Sequence, residues 1–382
     1  MTDQVTDRAP SDPQPPDGDR RRDPLSMLFQ PGAWRIEKRL VVRPWHEFVT
    51  LVAALVAAVA IIAGLVLVIG KSPADSFAAL YNGAFGTRES TLETLVQATP
   101  LILTGLAAAI AFRAGIWNIG GEGQFFAGVM GTWFVYDLWG GLPAPLLFVL
   151  MFISAAVAGA AWASVASGLL VRYGTNEILT TVMLNFVILY ILSYLLAGPW
   201  QSPDTFYYQT QRMADTTYLP RFFSVSRLHW GFAIALLAAL VVYWLIRRTT
   251  LGYEIRGIGS NVVASRYKGI RVGTVTLATM AISGALAGIA GFGELLGLHH
   301  RVQLDIAEGI GFTGIIIALV ARLHPLGVIV AAILFGALVN GSTAMQYETG
   351  IPKALVFVIE GTTLALVLIA AIVSRYRIRK TG

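Results

Sequence analysis

The sequence predicts an all-α integral membrane protein, a bundle of about ten helical spans. Three observations lead there. Only 13% of the 382 residues are charged and 55% are hydrophobic, with a mean hydropathy of +0.66; soluble domains carry roughly a quarter charged residues. The apolar residues gather in runs of roughly the length that crosses a hydrocarbon core, where backbone polar groups must be satisfied within their own segment and helices result. The alternating segments of roughly ten residues that mark a membrane β-barrel are absent from the sequence.

Residues 1–44 read as a basic tail, rich in Pro, Asp and Arg over its first part and expected to be disordered. The first apolar run begins near Phe48, too late and too long for a cleaved signal peptide. The membrane portion, residues 45–375, divides into spans 48–69, 93–112, 125–140, 146–171, 179–196, 229–246, 275–293, 310–321, 325–343 and 354–374. Spans three, eight and nine are short, and the eighth reads as a possible half-helix. Residues 376–382 form a second basic tail. Of the 28 Lys and Arg residues, 21 fall on the side that holds both tails and 7 on the other. The positive-inside rule therefore makes both termini cytoplasmic. Trp45, Trp139, Trp200 and Trp230 fall at span ends, where aromatic belts form.

The chain has no cysteine, which removes disulfides, thiolate metal sites and cysteine nucleophiles together. Its net charge of +6 sits beside apolar spans, which favours a lipid bilayer over nucleic acid as the partner. Thr104–Phe112 in the second span and Ser283–Phe292 in the seventh share a Ser/Thr-Gly-rich pattern. An offset of five spans would make this an inverted repeat of five plus five, as transporters often use.

Four segments stand out from the apolar background. Residues 113–124 place four glycines with Asn118, Glu122 and Gln124 between two spans. Polar backbone at membrane depth is tolerated only inside protein or beside a water-filled cavity. Two readings are open: a broken helix on a solute pathway, or a short turn in which Glu122 caps the third span. Thr175–Asn185 is the second segment; Thr175 or Asn176 is placed to cap the fifth span, and Asn185 lies deeper and needs a partner or a cavity. The third, residues 247–271, is long and basic. Within it Gly259-Ser260-Asn261 and the following Val262–Lys268 read as a capped short helix stopped by Gly269. Such a helix suits docking of a soluble partner, or is an ordinary positive-inside loop. The fourth is Glu360, an acid within the last span, which must face the bundle interior or a cavity.

Other chemistry is not expected. His299, His300 and Glu294 lack a third ligand at recognisable spacing, so no metal site is assigned. A phosphate-binding loop needs Gly five residues before the Gly70 of Gly70-Lys71-Ser72; that position holds Leu65, and Gly64 is one residue too far. ATP hydrolysis is thus expected elsewhere, with no catalytic residue and no cofactor on this chain. An ion-coupled secondary transporter would want poised carboxylates at mid-depth, and Glu360 is the sole deep candidate. No nucleophile–base arrangement suggests a membrane enzyme.

Ile116–Gln124, Asn176–Asn185, Leu251–Ile270 and Gly311–Gly327 together resemble, in order, four motifs of ABC importer permeases of the branched-chain amino acid, ribose and simple-sugar family, nucleoside branch. The resemblance implies a ten-span fold similar to the vitamin B12 permease (type II-like). It also implies partners: an ABC ATPase subunit on which ATP and Mg²⁺ act, an extracytoplasmic binding protein, and a second permease, a related paralogue being favoured over a second copy. It makes Asn118, Glu122, Gln124, Asn185 and Glu360 candidates for the solute pathway. It makes residues 251–270 the ATPase dock, with Gly257, Gly259, Ser260, Asn261, Ala264, Arg266, Tyr267 and Gly269 as its expected residues. Trp117 stands where the family commonly has Phe, Ser260 and Val262 where Glu and Pro are common, and Glu360 where Gln is expected. Nucleosides lead as the expected solute, ahead of simple sugars and branched-chain amino acids.

Overall fold

In the computed structural model, residues 34–38, 44–306, 309–374 and 376–380 are described. They form thirteen α-helices and two short strands among the described residues. Every predicted span falls on one helix: α1 (Pro44–Val68), α3 (Arg88–Arg113), α4 (Gly121–Trp139), α5 (Ala144–Tyr173), α6 (Glu177–Ala197), α7 (Gly231–Arg248), α10 (Val272–Glu294), α11 (Ile310–Val320), α12 (Pro325–Thr349) and α13 (Lys353–Val373). Among the described residues, six of them, α3, α5, α6, α7, α10 and α12, are long and apolar enough to cross a membrane. At ~1.5 Å per residue, the eleven residues of α11 reach only about halfway across the hydrocarbon core.

Helix α2 (Pro73–Tyr81), with the π-turn Asn82–Gly86 that follows, was not foreseen. Its start signal is local: the Ser72 hydroxyl accepts the Asp75 N–H, and Pro73 occupies the first helical position. Thr87 then caps α3 through the Ser90 N–H, so that helix begins five residues earlier than the sequence suggested. The tails also need correction. Residues 34–38 and 376–380, assigned to tails, pair as an antiparallel ribbon of β1 (Trp34–Lys38) and β2 (Tyr376–Lys380), with Trp34 opposite Lys380. Helices α1 and α13 pack together, which brings the two flanking segments side by side; no local pattern encodes that. Residues 1–33 and 381–382 of the predicted tails lie outside the described residues.

The centre is built on α3 and α10. Helix α10 packs on α4 and α5, whereas α3 packs on α11 and α12. Small residues set these approaches. A side chain at Gly128 on α4 would overlap the carbonyl of Gly288 on α10, and one at Gly159 on α5 the carbonyl of Gly284. Backbone-to-backbone contact of this kind replaces the hydrophobic drive that lipid removes. Phe125, Ile102, Leu106 and Met151 are fully buried there. Helices α8 (Thr250–Ser260) and α9 (Val262–Tyr267) lie between α7 and α10.

Candidate functional site

Between α3 and α4 the chain leaves helical geometry at Ala114–Gly120 and turns back into the bundle. Its depth follows from its partners. The Asn118 amide donates to Ser283 Oγ at 2.9 Å and to Gln124 Oε1 at 3.0 Å. Ser283 stands eleven residues into α10, ~16 Å from that helix's N-terminal end at ~1.5 Å per residue. The side-chain Oδ1 of Asn118 accepts from Gln124 Nε2 at 2.9 Å and from the Gly120 N–H at 3.0 Å. Ser283 in turn donates to the Ala107 carbonyl of α3 at 2.6 Å. One buried amide pair and one hydroxyl thus tie α3, α4 and α10 together midway along α10, and interhelical hydrogen bonds of this kind hold membrane helices in register.

Two further side chains fix the same break from α6. Asn185 Oδ1 accepts the Gly123 N–H at 2.8 Å while its amide donates to the Ile119 carbonyl at 3.0 Å. Thr181 accepts the Ile119 N–H at 3.2 Å. Asn176 caps α6, its side chain accepting the Leu179 N–H at 3.1 Å, as the sequence suggested.

Glu122 does not cap its own helix. Its carboxylate oxygens accept the N–H groups of Gly309 and Gly311 at 3.1 and 2.7 Å, at the N-terminus of α11. A carboxylate there satisfies donors that a helix start leaves free and sits at the positive end of its dipole. Close approach requires glycine: a Cβ at Gly311 would overlap the Glu122 backbone. The two discontinuities, one before α4 and one before α11, therefore meet at a single acid. Thr104 of α3 completes the join through a 3.3 Å bond to the Ile310 carbonyl.

The predicted pathway residues Asn118, Glu122, Gln124 and Asn185 are thus brought together, each at most 6% exposed, with their polar atoms bonded to protein. Within 116–124 the exposed side chain is Trp117, whose ring packs 4.9 Å from that of Phe112. Glu360 falls on α13, away from this cluster in sequence, and its side chain lies outside the described residues. Sequence reasoning missed Ser283, Thr181 and the Gly309–Gly311 turn as partners. A hydroxyl in an apolar span is the available signal for the first two.

The basic segment 247–271 folds as its caps dictate. Thr249 accepts the Gly252 N–H to start α8, and Asn261 accepts the Ala264 N–H at 3.0 Å to start α9. Gly269, at φ +82°, ends the turn. Of the expected docking residues, Gly259, Ser260, Asn261, Ala264, Arg266, Tyr267 and Gly269 are exposed and Gly257 is partly buried. Val263 and Tyr267 are 62% and 90% exposed, an apolar surface on the short helix α9. Its neighbour Gly259 touches the deep break: a side chain there would overlap the Arg113 carbonyl, and Gly115 lies against its Cα. Arg113 also donates to the Leu323 carbonyl at 2.9 Å, binding the C-terminal end of α3 to the turn that follows α11.

On the opposite face, the loop 198–230 closes over the end of α10. The Leu219 N–H donates to Leu296, Met213 to His300, and Thr210 to Val302, at 2.9–3.1 Å. His300 stacks on Tyr218 with ring centroids 3.6 Å apart. Burial, followed by the charges of His300 and Arg221, pushes His229 down to about 4. Burial, then Arg212, Arg221 and His299, does the same for His300, with Asp215 opposing. His299 lies 3.7 Å from Glu294. Among the described residues no three His, Cys, Asp or Glu side chains are grouped to hold a metal.

Residues 90–373 match the family described as branched-chain amino acid transport system / permease component. The chain is similar to the guanosine ABC transporter permease protein NupP of Bacillus subtilis, 36% identical over 89% of this chain and 97% of that protein. The glucose ABC transporter permease protein TsgB13 of Haloferax volcanii is 33% identical over 90% and 93%. The nucleoside ABC transporter permease protein NupB of Lactococcus lactis is 31% identical over 81% and 87%.

Proposed function

The chain belongs to the branched-chain amino acid transport system / permease component family of ABC transporter permeases, and on that premise we propose that it conducts a nucleoside inward through the plasma membrane while a separate ATPase subunit supplies the energy. Relatives named for guanosine and nucleosides support the solute. A relative named for glucose supports a second reading, a simple sugar. Both solutes present a hydroxylated ring. The chain itself contributes no catalysis, and ATP and Mg²⁺ act on the partner. A binding protein delivers solute at the outer face, and a second permease, a paralogue in our reading, completes the passage.

The observation that carries this reading is the seat of Gly259 on Arg113–Gly115. Through it, the exposed helix α9 and the buried break before α4 form one mechanical unit. Closure of the ATPase against Val263 and Tyr267 would push α8 on that break. Asn118, Gln124, Asn185 and Glu122 then act as positioning groups that carry the displacement to α4, α6 and α11, and Trp117 is the group of this stretch placed to meet solute. Alternation between inward- and outward-open arrangements follows from two discrete packings of the same helices.

We place ten spans in the membrane, with both termini cytoplasmic, arranged as an inverted five-plus-five repeat. The packing supports the repeat. Under a five-span offset α3 corresponds to α10, α4 to α11 and α5 to α12, and the observed pairs of α10 with α4 and α5 exchange with those of α3 with α11 and α12. Thr104 and Ser283 are equivalent under it, and each hydroxyl bonds the discontinuity before a short span. Paired broken spans in corresponding positions are where transporters of this design form their sites.

Copurification tests the coupling assignment. The intact chain is expected to retain an ATPase subunit, and Tyr267→Asp with Val263→Asp to lose it while the chain itself still inserts and melts as before. Retention by the double variant would remove α9 from the dock.

A further inference from the structure

A cavity of about 510 Å³ opens where α7 ends and α8 begins. Arg247, Arg248, Arg256 and Lys268 line it, against the single acid Glu254. Among the described residues none of these four cations forms an ion pair. Arg256 Nη1 is buried with no hydrogen-bond partner, and the guanidinium groups of Arg256 and Arg247 are close enough to that of Arg113 to repel it. Like charges gathered around a vacant volume, one of them with an unsatisfied donor, are stabilised by an anion. The hydroxyl-bearing Thr249 and Thr250 at the start of α8 add the positive end of a helix dipole on the same wall.

From this geometry we infer that the cavity binds the phosphate-bearing headgroup of an anionic phospholipid at the cytoplasmic leaflet. Height above the bilayer selects lipid over a soluble anion or a protein carboxylate. Trp244, 59% exposed, lies three residues before Arg247 on α7, and exposed tryptophan marks the headgroup level. The cations that follow immediately are therefore at the plane of the phosphates, where each contributes about 1 kcal/mol toward an anionic surface. No residue of α9 lines this wall, whereas Gly269, one of the expected dock residues, does. Arg256 and Lys268 also line a second cavity of about 290 Å³ that runs along Asn261 and Ala264, so a bound headgroup would brace the junction between α8 and α9. The inference goes beyond the transport reading and needs only that α7 cross the membrane.

The test uses the full chain with its partner subunits in nanodiscs of phosphatidylcholine, with and without phosphatidylglycerol, followed by native mass spectrometry of retained lipid. The wild type is expected to hold phosphatidylglycerol at least tenfold over phosphatidylcholine, and Arg248→Gln with Lys268→Gln to lose that preference. Both side chains are exposed, and Arg248→Lys with Lys268→Arg should restore it. Equal retention by the neutral double variant overturns the inference. Displacement of the lipid by millimolar inorganic phosphate at constant ionic strength would reassign the site to a soluble anion. Loss of the lipid whenever the ATPase subunit is bound would reassign it to a protein carboxylate. Either result also overturns the lipid assignment, and each leaves the transport reading standing.

Discussion

Glu122→Ala separates a positioning role from a solute-contacting one. The substitution removes both acceptors from the N–H groups of Gly309 and Gly311, bonded at 3.1 and 2.7 Å. Hydrogen bonds to a charged group contribute ~1.5–3 kcal/mol each, and the carboxylate adds up to ~2 kcal/mol at the α11 N-terminus. Opposing this, alanine abolishes the desolvation cost of the buried charge, several kcal/mol in its own right. The net loss is about 2–4 kcal/mol. Glutamine keeps one acceptor but turns an amide donor toward the other N–H, a loss of about 1–3 kcal/mol. The midpoint of thermal unfolding, followed by size-exclusion of the purified complex, should fall in the order wild type, Glu122→Gln, Glu122→Ala. Glu89→Ala, on the exposed first turn of α3, should change nothing. Uptake per folded molecule should fall in parallel with stability. An alanine variant that melts with the wild type yet transports nothing would refute the reasoning, because the acid would then be serving the solute and not α11.

Two further outcomes follow from the geometry. Gly259→Val forces a side chain into the Arg113 carbonyl; ATPase binding should persist while uptake coupled to ATP hydrolysis drops at least tenfold, measured as solute moved per ATP consumed. The packing of the loop 198–230 on the end of α10 should be acid-sensitive. Burial, with His300 and Arg221, holds His229 down to about 4 from 6.5; burial, with Arg212, Arg221 and His299 against Asp215, does the same for His300. Because the fold prefers both neutral, full stability is present above about pH 6.5 and is lost as pH falls toward 4. Melting midpoints measured across that window should decline, and His229→Asn, whose carbonyl oxygen can still accept the Gly231 N–H, should flatten the slope.

Local patterns told most of the fold. Every apolar run became a helix, and Asn176, Asn261 and Gly269 mark helix ends because capping is decided within four residues. What escaped was long-range. Glu122 reads like a first-turn acid, and nothing nearby announces that its partners lie 187 and 189 residues away. The same holds for Asn118 and Ser283, and for the β1–β2 ribbon, which exists because α1 meets α13. Helix α2 was different: Ser72, Pro73 and Asp75 are a complete start signal, overlooked because the segment is too short to cross a bilayer. Of the polar residues singled out as a pathway, Asn118, Glu122, Gln124 and Asn185 cluster, but the sequence could not tell that their hydrogen bonds would go to one another and to nearby backbone.

The central claim is that this chain provides the passage and its partner the energy. Proteoliposomes containing the permease pair, with or without the ATPase subunit, would be loaded with nucleotide on the cytoplasmic side and given a radiolabelled nucleoside with its binding protein outside. Accumulation should require the ATPase subunit and hydrolysable ATP together. Accumulation by the chain alone, under an ion gradient and without nucleotide, would contradict it.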